Sequence, residues 1–82
     1  MVTVFRVRRF RIVIYSNDHW PAHVHAIGPD CEAKIALGEE CEHPCLVTND
    51  GLTRAELESV LTAIGEQIEL LRQRWRAIHG DA

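Results

Sequence analysis

Three histidines, an aspartate and a tryptophan crowd into the stretch SNDHWPAHVHA at residues 16–26. His23 and His25 lie two apart in a segment that reads as a strand, so their side chains point to one side and can converge on one ion or substrate group. Pro21 argues against a regular helix carrying His19 and His23 four apart, so His19 is expected to arrive from a folded-back loop. Three imidazole nitrogens from His19, His23 and His25 with an open position would suit zinc acting on a bound water. Asp18 then serves either as an oxygen ligand or as the carboxylate that fixes an imidazole tautomer. Without metal, the same histidines can act as acid and base in cleaving a phosphodiester, with Arg6, Arg11 or Lys34 taking the phosphoryl charge and Trp20 beside them. A purely structural role stays open: Val24 and Ala26 face the core while His23 and His25 sit half-exposed on the other face.

A second cluster is CEHPC at 41–45, where Cys41, His43 and Cys45, with Cys31 upstream, have the spacing of one half of a structural zinc site. The matching second pair of ligands is missing. Three cysteines cannot all pair, and the thiol state fits a cytosolic compartment.

The elements that must position these residues are legible from patterning. Residues 2–15 read as a hairpin turning at Arg8-Arg9, which sets Val7 opposite Phe10, Phe5 opposite Ile12 and Thr3 opposite Ile14 on the core face. The other face carries Arg6 opposite Arg11, then Val4 opposite Val13 and Val2 opposite Tyr15. Residues 23–28 and 32–37 form two short strands around Gly28-Pro29-Asp30, with Ala33, Ile35 and Leu37 together. Residues 38–50 are irregular, with at most a short extended piece at 45–48. Thr53 and Glu56 make a capping box, Leu52 and Leu57 a hydrophobic staple, and Gly80 ends one long helix over 54–79. Its apolar stripe runs through Leu57, Leu61, Ile64, Ile68, Leu71, Trp75 and Ile78. Such a helix is about 39 Å long, against about 20 Å for a six-residue strand. Leu71, Trp75 and Ile78 are therefore expected to bury against another chain, a small protein partner or a second copy. The fold class is α+β: a small antiparallel sheet of about four strands on one long C-terminal helix, in a single domain, 1–82.

Composition agrees with a soluble globular chain: 82 residues, 46% apolar and 26% charged. No membrane span or signal peptide is read, and a cytoplasmic location is expected. The net charge of −3 conceals four arginines and no acid in residues 1–15, against six acids and one lysine in 30–50. A pI near 5.9 speaks against a dedicated nucleic-acid binder while leaving room for a local basic face.

At NDHWPAHVHAIG the chain resembles the bacterial family known as domain of unknown function 4160. Its members carry an Asp-His, a Pro-Pro turn and a His-Val-His strand, then Ala-Lys in the next strand. The matching positions are Asp18, His19, Pro21, His23, Val24, His25, Ala33 and Lys34, with Ala22 standing where a second Pro is common. Looser similarity follows in TNDGLTRAELESV and RWRAIHG. The cysteines of CEHPC lie outside the resemblance. It implies a two-gene, toxin–antitoxin-like setting, so a protein-interaction module is the first expectation, with a histidine-dependent hydrolase of RNA or another phosphodiester, with or without a metal, as the alternative.

Overall fold

A computed structural model of the chain describes residues 2–38 and 44–80. Five strands form one antiparallel meander in the order of the sequence: β1 (Val2–Val7), β2 (Phe10–Ile14), β3 (His23–Ile27), β4 (Glu32–Ala36) and β5 (Cys45–Asp50). Two helices follow, α1 (Arg54–Glu66) and α2 (Ile68–His79). The α+β class holds, with a full fifth strand where the sequence promised only a short extended piece. β5 is hard to read because all six of its residues are exposed, so no buried face imposes a hydrophobic alternation.

One sheet face forms the core. Phe10, Ile12 and Ile14 of β2, Val24 and Ala26 of β3, and Ala33 and Ile35 of β4 meet Val60, Ile64, Leu71 and Trp75 from the helices. The alternation that buries this set turns Arg11, Val13, His25 and Lys34 to the opposite face, in neighbouring rows: Arg6, Arg11 and Ile27, then Val13, His25, Lys34 and Thr48.

The hairpin turns at Arg8-Arg9 as expected, with Val7 opposite Phe10, and Arg8 takes a left-handed φ of 54°. Beyond Phe5 the expected register slips by one. Thr3 stands opposite Val13 and Val2 opposite Ile14, because Val4 is a bulge residue that packs on the core beside Phe5. A second bulge on β5, between Leu46 opposite Ile35 and Thr48 opposite Lys34, leaves Val47 unpaired.

The single long helix is corrected to two segments meeting at Gln67, whose φ of −112° and ψ of 19° depart from helical values. Its N–H is shared between the carbonyls of Ala63 and Ile64. Gly65, two residues before, is the weakest helix former in this stretch, at about 1 kcal/mol relative to alanine. The break has a geometric consequence: a straight helix over 54–79 would be about 39 Å long, more than the 33 Å long axis of the molecule. Bending brings both halves onto the sheet. Leu71 and Trp75 are thereby fully buried within the chain, and Ile78 packs half-buried against the same core. These three residues therefore do not form the exposed interface expected from helix length. No described helix is long and apolar enough to cross a membrane.

The start of α1 is as expected. Thr53 N–H donates to Glu56 Oε1 at 3.0 Å and Glu56 N–H to Thr53 Oγ1 at 3.2 Å, while Leu52 and Leu57 join the core. Arg9 reaches across to Glu56 at 2.7 Å, tying the first hairpin to the helix. The Thr53 N–H, and then Arg9, hold the Glu56 carboxyl below its ordinary range. A depressed carboxyl stabilises the fold above its unfolded pKa and loses that contribution as pH falls through the folded value. Glu56→Gln is accordingly expected to melt below the wild type at neutral pH, and the two melting curves to converge in acid.

Candidate metal centre

Asp18 is brought inward by a turn in which its N–H donates to the Tyr15 carbonyl at 3.2 Å. Its Oδ2 lies 3.1 Å from His23 Nε2 and 3.2 Å from His25 Nε2. The other ring nitrogens are also engaged: His23 Nδ1 faces the Pro21 carbonyl at 2.9 Å, and His25 Nδ1 faces Glu32 Oε2 at 3.2 Å. His23 is almost fully buried, 6% exposed.

These contacts constrain the protons. A carbonyl oxygen only accepts, so His23 Nδ1 must carry a hydrogen. A neutral ring then turns the lone pair of Nε2 toward a carboxylate, two acceptors within 3.1 Å. His25 is in the same position between two carboxylates. A proton on Asp18 Oδ2 would serve one ring and leave the other facing an acceptor. The arrangement is satisfied by a positive charge between the three atoms, which means either a second proton on each imidazole or a metal cation.

The geometry suits a cation. One ligand atom from each of Asp18, His23 and His25 lies within 4.8 Å of the others. Two ligand atoms at 2.0–2.1 Å from one ion and 90–109° apart are separated by about 2.9–3.3 Å, the spacing found here between carboxylate and imidazoles. Metal-bound histidines characteristically donate their remaining N–H to a carbonyl or carboxylate. Pro21 and Glu32 are in that role.

Aromatic packing fixes the rings. Tyr15 meets His25 edge-on at 4.7 Å, and Trp75 lies 5.0 Å from His23. Trp75 is itself held between His79, stacked at 3.8 Å, and Trp20, T-shaped at 5.8 Å. His79 also contacts the Tyr15 carbonyl through Nε2 at 3.0 Å, so the end of α2 clamps the loop that carries Asp18. Burial, reinforced by the Glu32 and Asp18 carboxylates and opposed by Arg11, pushes the Tyr15 phenol above its ordinary value and keeps it protonated.

A cavity of about 350 Å³ opens beside the centre, with Asp18, His19, His23, Lys34 and the bulged Val47 in its wall. His19 is exposed there and does not join the cluster of converging ligand atoms. The third ligand position expected for His19 is thus filled by Asp18. Trp20 lines the cavity and packs on Trp75, so its contribution includes support as well as contact. Arg6 and Arg11 stand opposite one another, in the row next to His25. Cys31 packs half-buried against the core. Cys41 and His43 lie outside the described residues, and with them the zinc half-site read from CEHPC.

Sequence reasoning missed Glu32 and Tyr15. Glu32 was within reach: the alternation that buries Ala33 and Ile35 puts Glu32 and Lys34 on the other face, and a hairpin pairing Ile27 with Glu32 makes Glu32 a diagonal neighbour of His25.

No curated protein and no solved structure matches this chain. A family model does, over residues 10–76, a span that holds Asp18, His23 and His25 with Tyr15, Trp20, Pro21, Glu32 and Trp75 and stops short of His79. The chain belongs to the family described as domain of unknown function (DUF4160).

Proposed function

We propose that this protein is a cytoplasmic, histidine-dependent hydrolase of phosphodiesters that works with a divalent cation such as zinc at Asp18, His23 and His25. One observation carries the reading: both imidazoles have Nδ1 against an oxygen acceptor and Nε2 turned to a single Asp18 oxygen, beside a cavity. Three protein ligands leave a coordination position for water, and an ion there supplies a nucleophile active near neutral pH. Lys34, in the cavity wall, is assigned the developing phosphoryl charge, and His19 the proton for the leaving oxygen.

The test uses the untagged chain loaded with zinc or manganese, with bis(p-nitrophenyl) phosphate and single-stranded RNA as substrates. Asp18→Ala and His23→Ala are expected to lose both metal and activity. His19→Ala should keep its metal and lose about 100-fold in kcat. Metal-loaded wild type that cleaves neither substrate overturns the enzyme reading. A second reading, a protein-interaction module of a two-gene toxin–antitoxin-like system, is favoured by β5. It is an edge strand with Leu46 41% and Val47 51% exposed, and open edges accept a further strand. Absence of hydrolysis, together with a small partner lost on Leu46→Lys, would select it.

A further inference from the structure

Arg6 and Arg11 face each other directly across the β1–β2 pair. Like charges in that position destabilise a sheet, and neither side chain makes an ion pair among the described residues. Glu32, in the same row two strands over, contacts His25, and Glu56 holds Arg9. With Arg9, Ile27, Gly28 and Pro29, the two arginines line a cavity of about 240 Å³. Arg9 lines the same cavity, but its guanidinium is engaged by Glu56 and lies over the Phe10 ring. Two arginines without an ion pair beside one small cavity make a receptor for a multiply accepting anion, and planar, bidentate recognition of phosphate is what arginine does best.

The position on the sheet extends the argument. Arg11 is one strand over and two residues along from His25, since Val13 pairs with His25 and Arg11 with Ile27. That offset is roughly 8 Å between Cα atoms, from a strand spacing of about 4.8 Å and a rise of about 3.3 Å per residue. We propose that Arg6 and Arg11 bind a phosphate of a single-stranded polynucleotide whose neighbouring phosphodiester lies at the Asp18–His23–His25 centre. The anion site stands on the arginines alone. Only the alignment with the centre rests on the hydrolase reading. The acidic average of the chain is no obstacle, because binding responds to the local field, and residues 1–15 hold four arginines without an acid.

The experiment measures binding of a fluorescent single-stranded oligonucleotide to the intact chain as a function of salt, beside the double variant Arg6→Gln/Arg11→Gln. Loss of two phosphate contacts is expected to weaken binding at least tenfold at low salt. It should also flatten the slope of log K against log salt by about 0.7, the value for one neutralised phosphate of a single strand. Titration of wild type with inorganic phosphate should shift the side-chain Nε–H resonances of Arg6 and Arg11. The double variant should keep the zinc-induced rise in melting temperature of the wild type while losing strand affinity, which separates the anion site from the metal centre. An unchanged affinity and slope in a folded double variant overturns the proposal. So does tighter binding of a polyglutamate peptide than of the oligonucleotide, or a phosphate titration that leaves both arginines unshifted.

Discussion

Trp75→Ala is expected to destabilise the fold by about 3–5 kcal/mol, the range for removing a large buried aromatic. At about 0.05–0.15 kcal/mol per residue, a chain of this size has a total stability of about 4–12 kcal/mol, so the variant should be largely unfolded at modest urea concentrations. The size of the effect follows from packing: Trp75 is fully buried and holds His23, Trp20 and His79 around it. Trp75→Phe separates volume from polarity. The indole Nε1 is buried without a hydrogen-bond partner, so its removal sacrifices no bond, and the loss should be only about 1–2 kcal/mol from the smaller ring. Urea denaturation of the three proteins checks both values. A Trp75→Ala protein with wild-type stability that had lost only a binding partner would restore the interface expected from the helix stripe and refute the packing account.

That expectation failed for a reason that bears on reading helices in small proteins. The stripe from Leu57 to Ile78 correctly identifies which residues are apolar-facing, and Val60, Ile64, Leu71 and Trp75 are indeed buried. Periodicity carries no information about straightness, however, and a single non-helical residue at Gln67 lets a stripe too long for the sheet fold back over it. Strand pairing was legible wherever one face is buried: Val7 with Phe10, Phe5 with Ile12, and the core set of β4. It was lost at Val4 and Val47, because a bulge inserts one residue without changing composition. The shared face of His23 and His25 was legible from spacing two. The choice of Asp18 over His19 was not, because adjacent loop residues are distinguished only by the turn on Tyr15 that fixes which one faces inward.

Zinc at a hundredfold excess over its dissociation constant is expected to stabilise the wild type by about 2.7 kcal/mol, raising its melting temperature by roughly 10–20 °C. Asp18→Asn should abolish that response, and its behaviour without metal distinguishes the two ways of satisfying the centre. If the site is held together by extra protons, Asp18 is the partner of two imidazolium rings, and removing one member of a buried ion pair costs about 3–5 kcal/mol. If the site is built for a metal, the rings are neutral in the metal-free protein. His23, with its Nδ1 hydrogen on the Pro21 carbonyl, then presents an Nε2 lone pair to Oδ2 at 3.1 Å, while His25 has a carboxylate at each nitrogen. An asparagine amide in that place donates an N–H to the His23 lone pair and replaces that repulsive contact with a hydrogen bond. Metal-free Asp18→Asn is therefore expected to melt at or above the wild-type temperature while showing no zinc-induced shift. Thermal denaturation of both proteins, with chelator and with zinc, reads the sign directly. A metal-free Asp18→Asn protein that melts well below wild type would identify the cluster as a proton-held structural network, in which His23 and His25 brace the loop and bind no ion.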